Sequence, residues 1–120
     1  MALEIRRSAP VDADTPGTEG HALVLLSGEL DASTAGQLYE ELARLSRNDI
    51  VYVALNLAAL EFIDSTGISV IIAEHKRTAA AGGELVIVAP HHNVRRVFEV
   101  AGLMDVLDVL LQEPPEEDAC

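Results

Sequence analysis

The chain has 120 residues, a formal net charge of -12, two Phe, two Tyr, no Trp and a single Cys. A chain of this length makes one domain that buries about two-thirds of its unfolded surface, and the lone cysteine, Cys120, excludes an intramolecular disulfide and a cysteine-based zinc site. The negative charge repels phosphate backbones and anionic lipid, and so few aromatic rings leave little to stack on bases, so neither nucleic acid nor membrane is an expected partner.

The start, MALEIRR, lacks the apolar core of a signal peptide, and no apolar run approaches the ~20 residues that span a bilayer. The chain reads as soluble and cytoplasmic. Residues 2–7, ALEIRR, alternate apolar and charged side chains as an edge or hairpin strand does. Residues 8–20, SAPVDADTPGTEG, mix Pro, Gly, Asp and Thr without periodicity and read as a long surface loop.

Three continuous apolar runs, ALVLLS at 22–27, IVYVALNL at 50–57 and ELVIVA at 84–89, have the length and β-rich composition of buried strands. Between the first two, Thr34 and Gln37 fit a capping box. Ala35, Leu38, Tyr39, Leu42 and Leu45 then recur at helical spacing on one face.

Between the second and third, Ile68, Ile71, Ile72, His75 and Ala79 form the inward stripe of another helix, which Gly82-Gly83 stops. His75 reads as a packing residue at the core's edge. A third helix is expected to start at the cap Asn93, to bury Val94, Val97, Phe98 and Ala101, and to end at Gly102 with Leu103 folding back. DVLDVLL at 105–111 fits either a last strand or a short helix. The tail, residues 112–120, has prolines and consecutive acids and too little apolar area to pack, so it is expected to be disordered.

Strand, helix and strand in succession imply parallel pairing with right-handed crossovers. The expected fold is α/β, with a mixed sheet of four or five strands. Its strand-to-helix loops then emerge on one edge, where open α/β sheets place their functional groups. That edge collects GELDAST, EFIDSTG and PHHN, and so brings Asp31 near Ser65.

Catalysis at this edge finds little support. Asp64-Ser65-Thr66-Gly67 resembles the Asp-Ser/Thr-Gly triplet of aspartic proteases, but an inserted residue breaks the spacing. A serine nucleophile lacks its G-x-S-x-G elbow, even with His91 and His92 nearby. There is no G-x-G-x-x-G or P-loop, no metal-ligand spacing and no sign of a cofactor.

Asp and Ser are both good helix caps, but capping leaves the helix's outer side unexplained. Thr66, Ser69, Val70 and Ala73 lie together there, where a merely solvated face would carry Lys and Glu. Small and apolar residues let another backbone approach closely, so this side reads as a docking surface with Ser65 at its rim. A phosphate on Ser65 would be tolerated by the helix N-terminus. It would add about -1.5 to -2 charges beside Asp64, Glu61 and Asp31 and obstruct whatever docks there.

LSGELDAST, LNLAALEFIDSTGISVII, AGGELVIVAP and NVRRVFEVAGLMDVL, in this order over residues 21–111, resemble the STAS domain, specifically the small single-domain anti-sigma factor antagonists of bacteria. The resemblance implies a non-enzymatic protein with helices packed mainly on one side of a mixed sheet. Its unphosphorylated form would bind an anti-sigma factor serine kinase and so free the sigma factor. It implies phosphorylation of Ser65 by that kinase, reversal by a metal-dependent serine phosphatase, and a part for Asp31 in kinase recognition. Asp64, Thr66 and Gly67 complete the motif, with Thr66 in place of the second serine of many members. The loop at 8–20 and the acidic tail depart from the small members. STAS modules also serve as constitutive scaffold subunits in lipid-transport and stress-signalling complexes, and in such a role Ser65 would be only a cap.

Overall fold

The computed structural model describes residues 2–7 and 20–111; the expectations for most of the 8–20 loop and for the tail at 112–120 lie outside those residues. The alternating segment near the start forms strand β1 (Leu3–Arg7), antiparallel to β2 (His21–Leu30). Helix α1 (Ala35–Arg47) leads to β3 (Tyr52–Ile63), α2 (Ser65–Ala80) to β4 (Glu84–Val88), and α3 (His92–Val100) to β5 (Asp108–Leu110). The sheet order is β1-β2-β3-β4-β5, with every pair after the first parallel. Segment 105–111 is thus resolved in favour of a short strand.

Three crossovers stepping in one direction across the sheet, all of the usual right hand, put α1, α2 and α3 on the same face. Burial along the strands agrees with this. Val24 and Leu26 of β2, Val53, Leu55 and Leu57 of β3, and Leu85 and Ile87 of β4 point into the core. There they meet Leu38, Leu42 and Leu45 of α1, Ile71 of α2, and Val94 and Phe98 of α3.

Four details differ from the periodicity reading. β3 does not end at Leu57 but continues to Ile63. It gains one extra residue over β2 between Asn56 and Ala59 and another between Leu60 and Phe62, and these two bulges break the alternation that would have marked it as strand. Thr34 makes no side-chain cap; its hydroxyl accepts from the Asp31 N–H and donates to the Glu29 carbonyl, both at 2.9 Å. Tyr39 is exposed, as is Ala101. His91, not Asn93, caps α3, its Nδ1 accepting the Asn93 N–H at 3.1 Å. The expected ends hold: α2 stops at Gly82, which has φ of 86°, and Leu103 folds back to donate to the Phe98 carbonyl at 2.9 Å.

At the edge formed by β4 and β5, Glu84 and Asp108 are neighbours, and the hydrogen bond between their carboxyls holds Glu84 above the ordinary carboxylate range. A raised pKa means that the pair stabilises the fold below the unfolded carboxylate value. The contribution is lost as pH rises through the raised value, until two like charges face each other at pH 7. Asp108→Asn is therefore expected to raise Tm slightly at pH 7, with the difference closing by about pH 4. Thermal unfolding of both proteins across that range checks it.

Candidate functional site

The sequence places Asp64 where β3 ends and α2 begins, and its side chain does the capping. Oδ1 accepts the N–H groups of Thr66 (2.9 Å) and Gly67 (3.1 Å), two of the donors that a helix start leaves unpaired. Oδ2 accepts the N–H of Ala32 at 3.2 Å, and the Asp64 N–H donates to the Leu30 carbonyl at 3.1 Å. One carboxylate therefore starts α2 and ties it to the loop after β2. This is why Asp31 and Ser65, distant in sequence, share one edge.

Asp31 is itself fixed by its neighbours. Its Oδ1 accepts the Ser33 hydroxyl at 2.7 Å and the Ser33 N–H at 2.9 Å. These bonds, the hydroxyl's first, hold its carboxyl below the ordinary value, so it is ionised throughout the physiological range.

Ser65 is the first residue of α2, exposed, and its hydroxyl has no hydrogen-bond partner among the described residues. The capping that the sequence shared between Asp64 and Ser65 belongs to Asp64 alone. The ends of β2 and β3 and the turns after them carry Glu29, Asp31, Glu61 and Asp64, none of them in an ion pair among the described residues. The edge is consequently negative, and it carries the exposed Ser65 hydroxyl.

PHHN borders the last stretch of β3. The His91 N–H donates to the Leu57 carbonyl and the Asn93 side chain to the Glu61 carbonyl, so this segment runs along β3 below its end. His91 and His92 stack on one another with ring centres 4.3 Å apart. The Nδ1 of His91 is occupied as a cap, and neither histidine bonds Ser65 among the described residues.

Gly67 faces inward against β2 and β3. A Cβ there would lie 2.6 Å from Leu30 Cγ and 3.0 Å from Ile63 Cγ1, so only glycine lets α2 sit this close to the two strand ends. Gly67→Ala is expected to destabilise by about 1–2 kcal/mol, because overpacking outweighs the better helix propensity of alanine; urea unfolding measures it.

The buried stripe of α2 is Gly67, Ile71, Glu74 and Thr78, rotated from the one that apolar spacing predicts. Ile68, Ile72 and His75 are half-buried on one flank and Val70 on the other, while Ala79 is exposed. Thr66, Ser69 and Ala73 are exposed as expected, and with Val70 they line one wall of a groove of about 610 Å³. Tyr39, Leu42 and Ala43 of α1 form the other wall. At its far end Arg77 grips the buried Glu74 with two bonds, Nε to Oε1 at 2.9 Å and Nη2 to Oε2 at 2.6 Å. Nη2 also donates to the Ile50 carbonyl. Neither Glu74 nor Arg77 belongs to the inward stripe that apolar spacing predicts. The i, i+3 spacing of Glu74 and Arg77 beside the small residues was the available signal.

With this geometry, the model of the STAS domain family matches residues 12–116. The chain belongs to the STAS domain family. Among relatives of this STAS domain, the anti-sigma F factor antagonist of Paenibacillus polymyxa is 30% identical over 91 residues, covering 75% of the chain and 78% of the relative. The anti-sigma-B factor antagonist of Bacillus subtilis (strain 168) is 27% identical over 99 residues, covering 82% and 90%. In three dimensions it superposes on an anti-sigma factor antagonist from Mycobacterium paratuberculosis with a TM-score of 0.74 at 23% identity, over 98% of this chain and 90% of that one. The unphosphorylated form of the anti-sigma factor antagonist SpoIIAA gives 0.66 at 18% identity, over 98% and 94%. The mixed five-stranded sheet with its three helices is therefore the STAS fold. No described helix is long and apolar enough to cross a membrane.

Proposed function

We propose that this STAS domain is an anti-sigma factor antagonist switched at Ser65. The observation that carries the reading is the division of labour at the start of α2: Asp64 caps the helix, and the adjacent Ser65 hydroxyl is exposed and uncommitted. A hydroxyl with no structural role at the rim of an apolar groove can be modified without disturbing the fold.

In the unphosphorylated state an anti-sigma factor serine kinase docks on this edge and frees its sigma factor. Asp31, Asp64 and Thr66 form the contact around Ser65, Ser69, Val70 and Ala73 extend it along the groove, and Gly67, expected in the contact from the motif, instead faces inward and seats the helix. The unpaired acids call for a cationic surface on the kinase.

Transfer of the ATP γ-phosphoryl to Ser65 Oγ places a dianion among those acids. The helix N-terminus accommodates it, whereas a partner that had covered the hydroxyl meets a buried charge without a counter-ion. A metal-dependent serine phosphatase returns the hydroxyl. SpoIIAA, which shares the fold, has been solved in both phosphorylated and unphosphorylated forms.

The test is reconstitution with the cognate kinase and its sigma factor. The unphosphorylated chain is expected to displace sigma from the kinase, and the kinase with ATP to reverse this. Failure to displace sigma, or co-purification with a transporter ATPase undisturbed by Ser65→Glu, would instead identify a constitutive scaffold subunit.

A further inference from the structure

All three helices cover one face of the sheet, and the other face has no cover among the described residues. Parallel sheets are ordinarily covered on both sides, because their strands are apolar on both. On this side the central strands carry Leu23 and Leu25 of β2, Tyr52 and Ala54 of β3, and Val86 and Val88 of β4, set side by side by the register, with Val88 buried between its neighbours. Both leucines are 37% exposed, and Leu110 of β5, in the same row as Leu25, is 49% exposed. Asn56 is the one polar residue in the centre of this surface.

The two lateral rims of the face differ in charge: β1 sets Glu4, which accepts from the Ser27 hydroxyl, beside Arg6 on this face, whereas β5 carries an acid alone. Arg6 of β1 stands opposite Leu25, is exposed, and has no ion-pair partner among the described residues. At the other rim Asp108, beside Val86, and Glu84 place two carboxyls together.

We propose that this open sheet face is a homodimer interface, in which two copies pack face to face about a two-fold axis parallel to the strands. Leu23, Leu25, Ala54 and Val86 form its centre, and Arg6 of each copy meets Asp108 of the other. Such an axis lays β1 of one copy over β5 of its mate, and a two-fold interface satisfies each unlike pair twice by one operation. Arg6 lies in the row of Leu110, one pleat or about 7 Å from Asp108, a gap that an extended arginine side chain spans. A basic helix would match Asp108 and Glu84 at one rim but meet Arg6 at the other.

The face measures about 20 Å by 20 Å, which puts the area buried per copy at the lower end of stable interfaces and the association in the micromolar range or weaker. The Ser65 edge belongs to the helix-covered side and stays free in this dimer. The inference therefore stands or falls separately from the proposed switch.

Sedimentation equilibrium of the full chain from about 10 to 500 μM tests it. A concentration-dependent dimer is expected, and Leu25→Glu should weaken it about tenfold or more. Arg6→Glu and Asp108→Arg should each weaken it, while the double variant recovers most of the loss. Because both charge changes lie on exposed rims, the swap remains informative if Leu25→Glu does not fold, which circular dichroism reports. A monomer at the highest concentration, a dimer indifferent to Leu25→Glu, or a double variant no tighter than the singles would each overturn the proposal. Retention of a different protein on this face by a monomeric chain would do the same.

Discussion

Ser65→Asp is expected to weaken binding to the kinase by about 100-fold or more, equivalent to ~2.7 kcal/mol, while Tm hardly moves. Both halves of the expectation come from the same geometry. The Ser65 hydroxyl makes no hydrogen bond among the described residues, so the fold loses nothing with it, and a carboxylate in the first turn of α2 suits the helix dipole. A docked kinase, in contrast, must either bury that carboxylate beside Asp31 and Asp64 or retreat from the edge. Ser65→Ala is the matching control: it should bind like wild type and never be released by ATP. The phosphate itself carries more charge than aspartate. A full reversal from mostly bound to mostly free requires about 5.5 kcal/mol, so the phosphorylated chain should bind more weakly than the Asp variant. Calorimetric titration of the three proteins into the kinase gives the order directly.

Arg77→Ala is expected to cost about 3 kcal/mol or more of folding stability, the largest effect foreseen for a single substitution. Glu74 is only 4% exposed and relies on the Arg77 fork for compensation. Removing the arginine strands a buried carboxylate and also leaves the Ile50 carbonyl without this donor. Replacing both partners, Glu74→Leu with Arg77→Met, should restore much of the loss, because apolar groups of similar volume remove the stranded charge. Urea unfolding of the two variants separates the accounts. If Arg77→Ala costs no more than an exposed ion pair, under ~1 kcal/mol, the buried pair is not holding α2 in place.

Much of this architecture was legible because it follows from the spacing of apolar residues. The runs at 22–27, 50–57 and 84–89 each supply residues to β2, β3 and β4 in turn, the second entering its strand at Tyr52 and the third leaving at Val88, and Gly82 and Gly102 mark where helices stop. What escaped follows from tertiary context. The last six residues of β3 read as loop because bulges shift Ala58, Ala59 and Phe62 out of alternation. That longer strand also carries Ser65 past the point where the His91 N–H meets the Leu57 carbonyl. Glu74 and Arg77 look solvated in a sequence, and only the approach of α1 and the end of β3's preceding turn gives them a partner and a carbonyl to share. At the site itself, the residues Asp31, Asp64, Ser65, Thr66 and Gly67 could be found from their motif, but the allocation of roles could not. Two adjacent residues, Asp64 and Ser65, are equally good caps on paper. The chain geometry gives the work to Asp64, and that choice leaves Ser65 available.

The most direct test of that availability is to incubate the chain with its cognate kinase and ATP, digest it, and locate the phosphate by peptide mass spectrometry. The account predicts one phosphate, on Ser65, with none on Ser69 and none acquired by Ser65→Ala. A chain that gains no phosphate under conditions where the kinase binds it, or that carries the phosphate on another residue, would contradict it.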